Sequence, residues 1–303
     1  MSEIARARYE ELLDILGEPH SPNQTEDDQA SADRTASLKE YFSEHEAVLS
    51  VLGVDIYGYS RFEADPQRLV PVAFEWILRH AIQLAASAEP LLFPSYYDLK
   101  TSFIPTGDGG FLMFSTPLHA VAFAAYFQAV IDGYNSGFYY PQLLALVGPL
   151  TLRYSLTRDT VCHLDNNWFG PAIISNARIM AKDALNRFLL DAFTVKWFVE
   201  RLGTVESLAA VVVSALPNLL HVPAPPACRS LLFSSASDDA YNLNAFASIH
   251  VQRIGVVSSK AHQIDLYNLC AQVRLQHQRI APSLVSRNVV ITIGNLNTAG
   301  ISV

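Results

Sequence analysis

Two aspartates in glycine-containing turns are the residues with the clearest potential for chemistry. Asp55 ends the apolar run of AVLSVLGVDIYGYSRF, and Asp108 lies in FIPTGDGGFLMF, which is typical of a β-hairpin because glycine tolerates the positive φ angles of tight turns. Either aspartate, taken alone, can be an ordinary turn residue. If their strands are neighbours, however, the two carboxylates converge. Paired acidic oxygens without histidine or cysteine suit Mg²⁺ or Mn²⁺, and therefore phosphate chemistry.

Two cations stand out as possible partners for a phosphate. Arg178 lies on an otherwise apolar predicted helix, eight residues after Gly170 in NNWFGPAIISNARIM. Its guanidinium is an ion-pair partner, an anion clamp, or a partly exposed group whose stem is packed. The whole chain has five lysines, which makes Lys260 near the C-terminal end noticeable.

The composition limits the classes of protein to consider. The chain has 303 residues, is 50% hydrophobic and 17% charged, and carries a formal net charge of −8. It can bury one large core or two modest ones, and it lacks the basic stripe of a general nucleic-acid binder. We therefore expect no nucleic-acid partner, although a triphosphate bound through a metal and a few cations is compatible with this charge.

Neither cysteine spacing nor hydropathy indicates a zinc site or a membrane segment. Cys162, Cys228 and Cys270 are far apart, and no CxxC pair occurs. The chain does not open with a basic region followed by an apolar stretch, so no signal peptide is expected. No apolar run of about 18 residues occurs, so we expect no membrane span and a cytoplasmic location.

Periodicity divides the chain into four segments. Residues 1–45 are predicted to form a helix (3–17) and a polar, acidic, flexible linker. Residues 46–203 follow the order strand, helix, hairpin, helix, strand, helix, which indicates an α+β sandwich with helices on a mostly antiparallel sheet. Residues 204–249 are an irregular, proline-punctuated insertion. Residues 250–303 are predicted to complete the sheet with a strand pair and a last strand, RNVVITIGNL, that is a sheet edge or an assembly contact.

These motifs, in this order, resemble the catalytic domain of class III nucleotidyl cyclases, the family of adenylate and guanylate cyclases. The likeness covers roughly residues 48–200 and 250–272. Four short motifs carry the likeness. Asp55–Ser60 matches the family's Asp-Ile/Val-x-Gly-Phe-Ser strand end, and Gly107–Gly109 matches its Gly-Asp-Gly hairpin. Phe169–Gly170 and Arg178–Ile179 match the entry and the end of its helix, and IGVVSSKAHQIDLYNL matches its C-terminal strands, with Lys260 at the family's lysine.

The resemblance implies a ferredoxin-like sandwich that works as a head-to-tail homodimer with active sites shared across the interface. Asp55 and Asp108, with the carbonyl of Ile56, would hold two Mg²⁺ or Mn²⁺ ions. The ribose 3′-oxygen of a nucleoside triphosphate would attack the α-phosphorus, and pyrophosphate would leave. Arg178 and Lys260 of the other subunit would neutralise charge that builds in the transition state.

The base-reading positions depart from those of purine cyclases. Where those enzymes carry a Lys or Glu, this chain has Ile104, whose side chain forms no hydrogen bond. The second position is Asn167, whose amide both donates and accepts. The chain is also similar to the pyrimidine cyclases of the bacterial Pycsar anti-phage systems, which make cyclic UMP or cyclic CMP. In that case Tyr59 is a candidate wall for the smaller base, with core packing as the alternative.

The ribose-binding position departs as well. The family's Asn is replaced by Ile174. Ser175 lies three residues before Arg178, on nearly the same helix face, and is the preferred substitute. Asn176 lies two residues before Arg178 and is expected to point away.

The leading hypothesis is a metal-dependent cyclase that makes cyclic UMP from UTP as a second messenger in anti-phage defence. CTP is the next substrate considered, and ATP or GTP comes after it. A diguanylate-cyclase-like domain is another enzyme alternative, against which Arg178 and Lys260 argue. From a different class, an inert nucleotide-binding module that regulates a partner is favoured by the lost ribose Asn. It is opposed by the retained aspartate pair, since two carboxylates repel one another without a metal.

Overall fold

The computed structural model describes residues 11, 14–15, 28–90, 92–94, 96–164, 167–182, 185–202, 246–258, 263–276 and 288–295. Its helices are α1 (Asp28–His45), α2 (Ala64–Ala88), α3 (Tyr96–Thr101), α4 (Pro117–Asn135), α5 (Pro141–Val147), α6 (Pro171–Lys182) and α7 (Ala192–Leu202). Its strands are β1 (Glu46–Ile56), β2 (Phe103–Pro105), β3 (Gly109–Phe114), β4 (Leu152–Leu164), β5 (Asn167–Phe169), β6 (Phe188–Asp191), β7 (Phe246–Ser258), β8 (Gln263–Gln276) and β9 (Asn288–Ile293).

These strands form one sheet whose centre is a ferredoxin-like unit. β1 lies between β3 and β4, antiparallel to both, and β2 pairs with β3. The order β2-β3-β1-β4, with α2 and α4 as connections, is the βαββαβ arrangement of ferredoxin-like folds. The sheet continues through β6, β8 and β7; β4–β6 is parallel, and the other described pairs are antiparallel. The predicted α+β fold with a mostly antiparallel sheet is therefore confirmed.

The C-terminal strands extend this sheet. β7 and β8 form the predicted antiparallel pair, and β8 joins the sheet through β6. The last strand, β9, pairs with β8 inside the chain. The last four residues of the predicted insertion, 246–249, already belong to β7, and residues 204–245 lie outside the described residues.

Alternation along β1 divides its side chains between two faces of the sheet. Leu52, Val54 and Ile56 are buried in the main core, beneath α2 and α4. α4 adds large apolar side chains to this core, among them Phe123 and Phe127, both fully buried. Because α4 packs between the sheet and α2, it is apolar around most of its circumference.

The opposite face of the sheet is covered in part by α6. Gly53 faces this helix, and a Cβ there would overlap the side chain of Asn176. The fully buried Asn176 amide donates to the carbonyl oxygens of Val51 at 2.6 Å and Ser155 at 3.2 Å. These bonds to both β1 and β4 fix the position of α6 on the sheet.

The segment before β1 differs from the prediction. Residues 28–45, assigned to the flexible linker, form α1. Ala, Arg, Lys and Glu in this segment are good helix formers. The ring of Tyr41 is 3% exposed and stacks on His45 at 4.1 Å, and α1 packs against β4. Tertiary contacts thus order a segment whose composition indicated a linker. Most of the predicted helix 3–17 lies outside the described residues.

Among the described residues, one helix is long and apolar enough to cross a membrane by length and composition alone. This is α2, with a mean hydropathy of 1.2 over its best window, half of which is buried inside the protein. A buried core helix passes the same test, so α2 is weak evidence for a membrane span.

Candidate active site

Asp55 and Asp108 meet at the end of the β1–β3 pair. Asp55 is opposite Gly109 in the antiparallel register, and the Ile56 N–H donates to the Asp108 carbonyl oxygen at 3.0 Å. Gly109 makes this approach possible, because a Cβ there would overlap the carbonyl oxygen of Val54. The predicted hairpin is confirmed, and its Gly-Asp-Gly-Gly turn brings two carboxylates together.

The Asp55 carboxyl group faces one cation and one anion. Arg153, directly across on β4, donates from Nε to Asp55 Oδ2 at 2.5 Å, and the two side chains are 25% and 12% exposed. Burial raises the pKa of Asp55 from 3.8 to about 6; the Arg153 charge opposes this rise, while the charge and a hydrogen bond of Asp108 add to it. A further cation would therefore stabilise the ionised form of the pair.

The oxygens at this place suit Mg²⁺ or Mn²⁺ combined with phosphate. Mg²⁺ usually takes one or two protein carboxylates and completes its coordination with water and phosphate oxygens. Asp55, Asp108 and the carbonyl of Ile56 supply protein oxygens of this kind. Within the described ranges no group of three His, Cys, Asp or Glu side chains could hold a metal. A metal at this place would therefore complete its coordination with water or with the oxygens of a bound ligand such as a triphosphate.

Arg178 lies elsewhere, in a cavity of about 590 Å³. Ile174, Ser175 and Arg178 line it from α6. The other described lining residues come from β4, the start of α6, β6, α7 and β8: Asp159, Pro171, Asp191, Ala192, Phe193, Gln263, Ile264 and Asp265. They include neither Asp55 nor Asp108. One chain thus holds its carboxylate pair and its Arg178 in separate places.

The two candidates for the ribose position point in different directions. Ser175 lines the cavity with Arg178, and the side chain of Ile174 is 50% exposed there. Asn176 is instead buried against the sheet. Helical spacing therefore predicted these orientations correctly, while the ribose-binding role of Ser175 stays a prediction.

The Arg178 cavity has a perturbed carboxyl group of its own. Burial raises the pKa of Asp191 from 3.8 to about 6, and the charge of Asp159 adds to the rise. Backbone N–H groups of Thr194, at 2.8 Å, and Arg158, at 3.2 Å, donate to Asp191 and oppose the rise. Asp191 caps the start of α7 through the Thr194 bond, which explains its burial structurally.

The predicted base-pocket residues lie on two faces of the sheet. Ile104 packs on the α6 face against an apolar cluster, and Phe111 and Trp168 pack on that same cluster. Asn167, next to Trp168, is exposed and accepts the Trp168 backbone N–H at 2.9 Å. Tyr59 instead packs against the main core beneath α2 and α4. Tyr59 and Ile104 thus pack against different apolar clusters. The packing alternative for Tyr59 is observed, and its role as a wall of the base pocket stays a prediction.

Sequence reasoning missed Arg153, and Lys260 lies outside the described residues. The available signal for Arg153 was a single cation in LTLRYSLT, a stretch otherwise made of apolar and hydroxyl side chains. Only the register that sets Arg153 opposite Asp55 assigns this cation to the aspartate site.

No family model and no curated protein matches the chain. It is similar to the solved structure of an adenylate/guanylate cyclase/hydrolase from Silicibacter pomeroyi, with 14% identity, coverage of 74% of this chain and 96% of that chain, and a TM-score of 0.44. It is also similar to the non-canonical dimeric guanylyl cyclase domain of the RhoGC fusion protein from the aquatic fungus Blastocladiella emersonii (11% identity, 74% and 97% coverage, TM-score 0.40). A third is the adenylyl cyclase CyaB from P. aeruginosa (12% identity, 74% and 94% coverage, TM-score 0.38). Because these identities and scores are low, we take the function from the residues of the site.

Proposed function

We propose that the protein is a metal-dependent nucleotidyl cyclase, which converts a nucleoside triphosphate to its 3′,5′-cyclic monophosphate and pyrophosphate. The observation that carries this proposal is the convergence of Asp55 and Asp108, where the Asp108 charge adds to the raised pKa of Asp55. Two carboxylates that repel one another in a partly buried place have a physical reason to be there if they bind a cation.

The residues of the aspartate site hold the reactants. Asp55, Asp108 and the Ile56 carbonyl would hold two Mg²⁺ or Mn²⁺ ions. Such ions would neutralise phosphate charge and lower the pKa of the ribose 3′-hydroxyl, whose proton would pass to water. Arg153 limits the orientations of the Asp55 carboxylate through its 2.5 Å bond to Oδ2. The 3′-oxygen then attacks the α-phosphorus, and the bond to pyrophosphate breaks.

The separation of Arg178 from the aspartates supports a head-to-tail homodimer. A second copy placed head to tail would bring the Arg178 cavity of one protomer over the carboxylates of the other, which makes two equivalent sites. The cavity has apolar side chains available for such a contact, since Ile174 is 50% and Phe193 is 63% exposed.

Residues of the second copy supply the remaining contacts in this dimer. Arg178, together with Lys260, offsets the charge that develops on the transferring phosphorus. Ser175, beside Arg178 in the cavity, donates a hydrogen bond from its hydroxyl group to the ribose.

A pyrimidine triphosphate, UTP before CTP, is the proposed substrate. Ile104 offers no hydrogen bond to a purine edge, whereas the exposed amide of Asn167 can pair with the donor and acceptor groups of a smaller base. The product, cyclic UMP, would act in the cytoplasm as a second messenger of bacterial anti-phage defence. The likeness of the chain's motifs to pyrimidine cyclases supports this role.

The proposal is tested by incubating the purified protein with ATP, GTP, CTP or UTP and Mn²⁺, and by identifying the products by mass spectrometry. Cyclic UMP is the expected main product. If only CTP yields a cyclic product, the substrate is CTP and not UTP. If only ATP does, the assignment of a pyrimidine substrate is wrong and the cyclase function stands. If no triphosphate yields a cyclic product, the enzyme proposal is wrong and the inert nucleotide-binding module is favoured.

Matched aspartate variants test the metal assignment. Asp55→Ala and Asp108→Ala are each expected to lower activity by about 10³-fold, because the proposed metal ligands are lost. Asp65→Ala is the control, since that side chain is 93% exposed at the start of α2. Product formation by Asp55→Ala or Asp108→Ala at the rate of Asp65→Ala would contradict the two-metal assignment.

A further inference from the structure

The loop that leaves the aspartate site carries an exposed cation, Arg61. It ends the short 3₁₀-helix Tyr59–Arg61, which follows Gly58 at φ +75°. The Arg61 backbone N–H donates to the Gly58 carbonyl oxygen at 2.9 Å, so the turn is closed. In the part of the chain that the structure describes, the Arg61 side chain is exposed and forms no ion pair with a carboxylate.

The position of the Arg61 guanidinium is set by Tyr57. Arg61 Cζ lies 5.7 Å from the centre of the Tyr57 ring, within the range of a cation–π contact. Tyr57 directly follows β1, and its N–H donates to the Thr151 carbonyl oxygen at 2.8 Å, next to the Ile56–Leu152 pair that ends the β1–β4 register. Continued alternation from Asp55, two residues earlier, predicts that Tyr57 faces the same side of the sheet. We therefore expect the Arg61 guanidinium, which contacts Tyr57, to lie on the side of the sheet that holds Asp55.

A triphosphate at this place needs more positive charge than the metals bring. The triphosphate and the two aspartates together carry more negative charge than two divalent ions neutralise. Arg153 is already bonded to Asp55, and Arg178 lines the separate cavity. Arg61 is a cation of the same protomer, six residues after Asp55, and its guanidinium contacts an aromatic ring and not a carboxylate.

We infer that Arg61 binds the terminal phosphates of the triphosphate held at Asp55 and Asp108 of its own protomer. The inference rests on the proposed cyclase function and adds a phosphate-binding residue to it. When the bond to the α-phosphorus has broken, the same contact holds the departing pyrophosphate. A guanidinium suits this task because its planar fork donates to two phosphate oxygens at once. Tyr57 is a positioning residue, since it holds the guanidinium near the site before the ligand arrives and lowers the cost of ordering it.

The direct test measures the binding of inorganic pyrophosphate in the presence of Mn²⁺ by calorimetry. Arg61→Gln is expected to weaken the affinity by about tenfold or more, the usual effect of losing a charge-assisted hydrogen bond. Arg61→Lys keeps a point charge without the planar fork, so its pyrophosphate affinity is expected to lie between those of the wild type and Arg61→Gln. Tyr57→Leu is expected to weaken the affinity by about threefold, because an exposed cation–π contact is weak.

Arg68→Gln is the matched control. Arg68 is an exposed arginine on the next helix, α2, and its Nη1 lies 3.7 Å from Asp65 Oδ1. This variant is expected to bind pyrophosphate like the wild type. With UTP as substrate, Arg61→Gln is expected to raise KM with little change in kcat, because terminal phosphates are bound equally in the ground state and the transition state. The melting temperature of Arg61→Gln is expected to match that of Arg68→Gln.

The possible outcomes separate this inference from the proposed function. Pyrophosphate affinity in Arg61→Gln equal to that of the wild type overturns the inference, even if cyclic UMP forms. Failure of the wild type to bind pyrophosphate with Mn²⁺ overturns it as well. If the wild type forms no cyclic nucleotide, yet binds pyrophosphate in a way that needs both Asp55 and Arg61, the phosphate site stands and the cyclase function fails.

Discussion

The aspartate end of the β1–β3 pair and the Arg178 cavity differ in how much of their chemistry one chain completes. At the aspartate end, Asp55 comes from β1, Asp108 from the β2–β3 turn and Arg153 from β4, and Arg153 bonds to Asp55 at 2.5 Å. In the cavity, Arg178 faces about 590 Å³ of space, with half-exposed apolar side chains beside it. Under the proposed function, each protomer would preorganise its metal-binding half, whereas the cationic half would need a second copy to reach a metal.

Each region also holds a carboxyl group whose pKa is raised to about 6 by burial. The opposing groups differ. A guanidinium opposes the rise at Asp55, while backbone N–H groups oppose it at Asp191. The hydrogen bonds of Asp191 are therefore those of a helix cap, whereas the pKa of Asp55 depends on nearby charges and would fall if a second cation were bound there.

The largest expected effect comes from damaging the two regions in different chains. Asp55→Ala is expected to lower cyclase activity by about 10³-fold, and Arg178→Ala by about 10²-fold. Co-expression of the two variants makes half of the dimers mixed, each with one intact site, so about a quarter of the wild-type activity returns if the sites are shared. The rate of cyclic UMP formation by the co-purified mixture measures this recovery.

A second mixture controls for this result. Asp55→Ala with Asp108→Ala places both changes in the metal-binding half, so every site of a mixed dimer lacks one ligand and no activity is expected to return. Recovery in neither mixture would contradict the shared site and would place Arg178 with the aspartates of its own chain.

The next largest effect is a loss of stability when the close approach of β3 to β1 beside the aspartates is crowded. Gly109→Ala places a Cβ against the Val54 carbonyl oxygen and is expected to lower the free energy of unfolding by about 3 kcal/mol. Gly107→Ala is the control: it meets no atom within 4 Å, so its cost of about 1 kcal/mol comes from the positive φ of +107° alone. Urea denaturation measures both. Equal losses would show that close approach of β3 to β1 does not limit this end of the sheet.

The carboxyl group of the cavity predicts a pH effect. The pKa of Asp191 is about 6 in the folded state against an ordinary 3.8, so the folded state binds the proton more tightly. The stability from this group is therefore lost as the pH rises from 3.8 to 6. Relative to Asp191→Asn, the free energy of unfolding of the wild type is expected to fall by about 2 kcal/mol between pH 4 and 6. A difference between the two proteins that stays constant over this range would show that Asp191 is not desolvated.

The smallest effect concerns Arg153. Arg153→Gln removes the protein cation of Asp55 and is expected to cost about 1 kcal/mol without ligands, since the pair is partly exposed. Mn²⁺ with pyrophosphate then becomes the cation source for Asp55, so the rise in melting temperature on their addition is expected to exceed that of the wild type. Arg79→Gln, which breaks an exposed pair with Glu75, is expected to leave this rise unchanged. A smaller rise in Arg153→Gln would mean that Arg153 assists metal binding directly.

Much of the candidate site was predictable because its signals are local. The hairpin around Asp108 follows from glycines between two apolar runs, and the shared face of Ser175 and Arg178 follows from helical spacing. Other features depend on packing. Helix α1 was predicted as part of a linker, and it is ordered in the structure by Tyr41. Tyr59 was a candidate for the base pocket, and only the fold shows that it packs against the main core.

The sequence by itself determined the local elements: a strand that ends at Asp55, a glycine turn that holds Asp108, and a helix that presents Arg178. Only the tertiary structure decided which of them meet. Asp55 and Arg153 are 98 residues apart and bond because β1 and β4 pair in one particular register. A shift of that register by one residue would turn Arg153 to the other face of the sheet. Register and strand order arise from burial of the whole core, so no single segment encodes them.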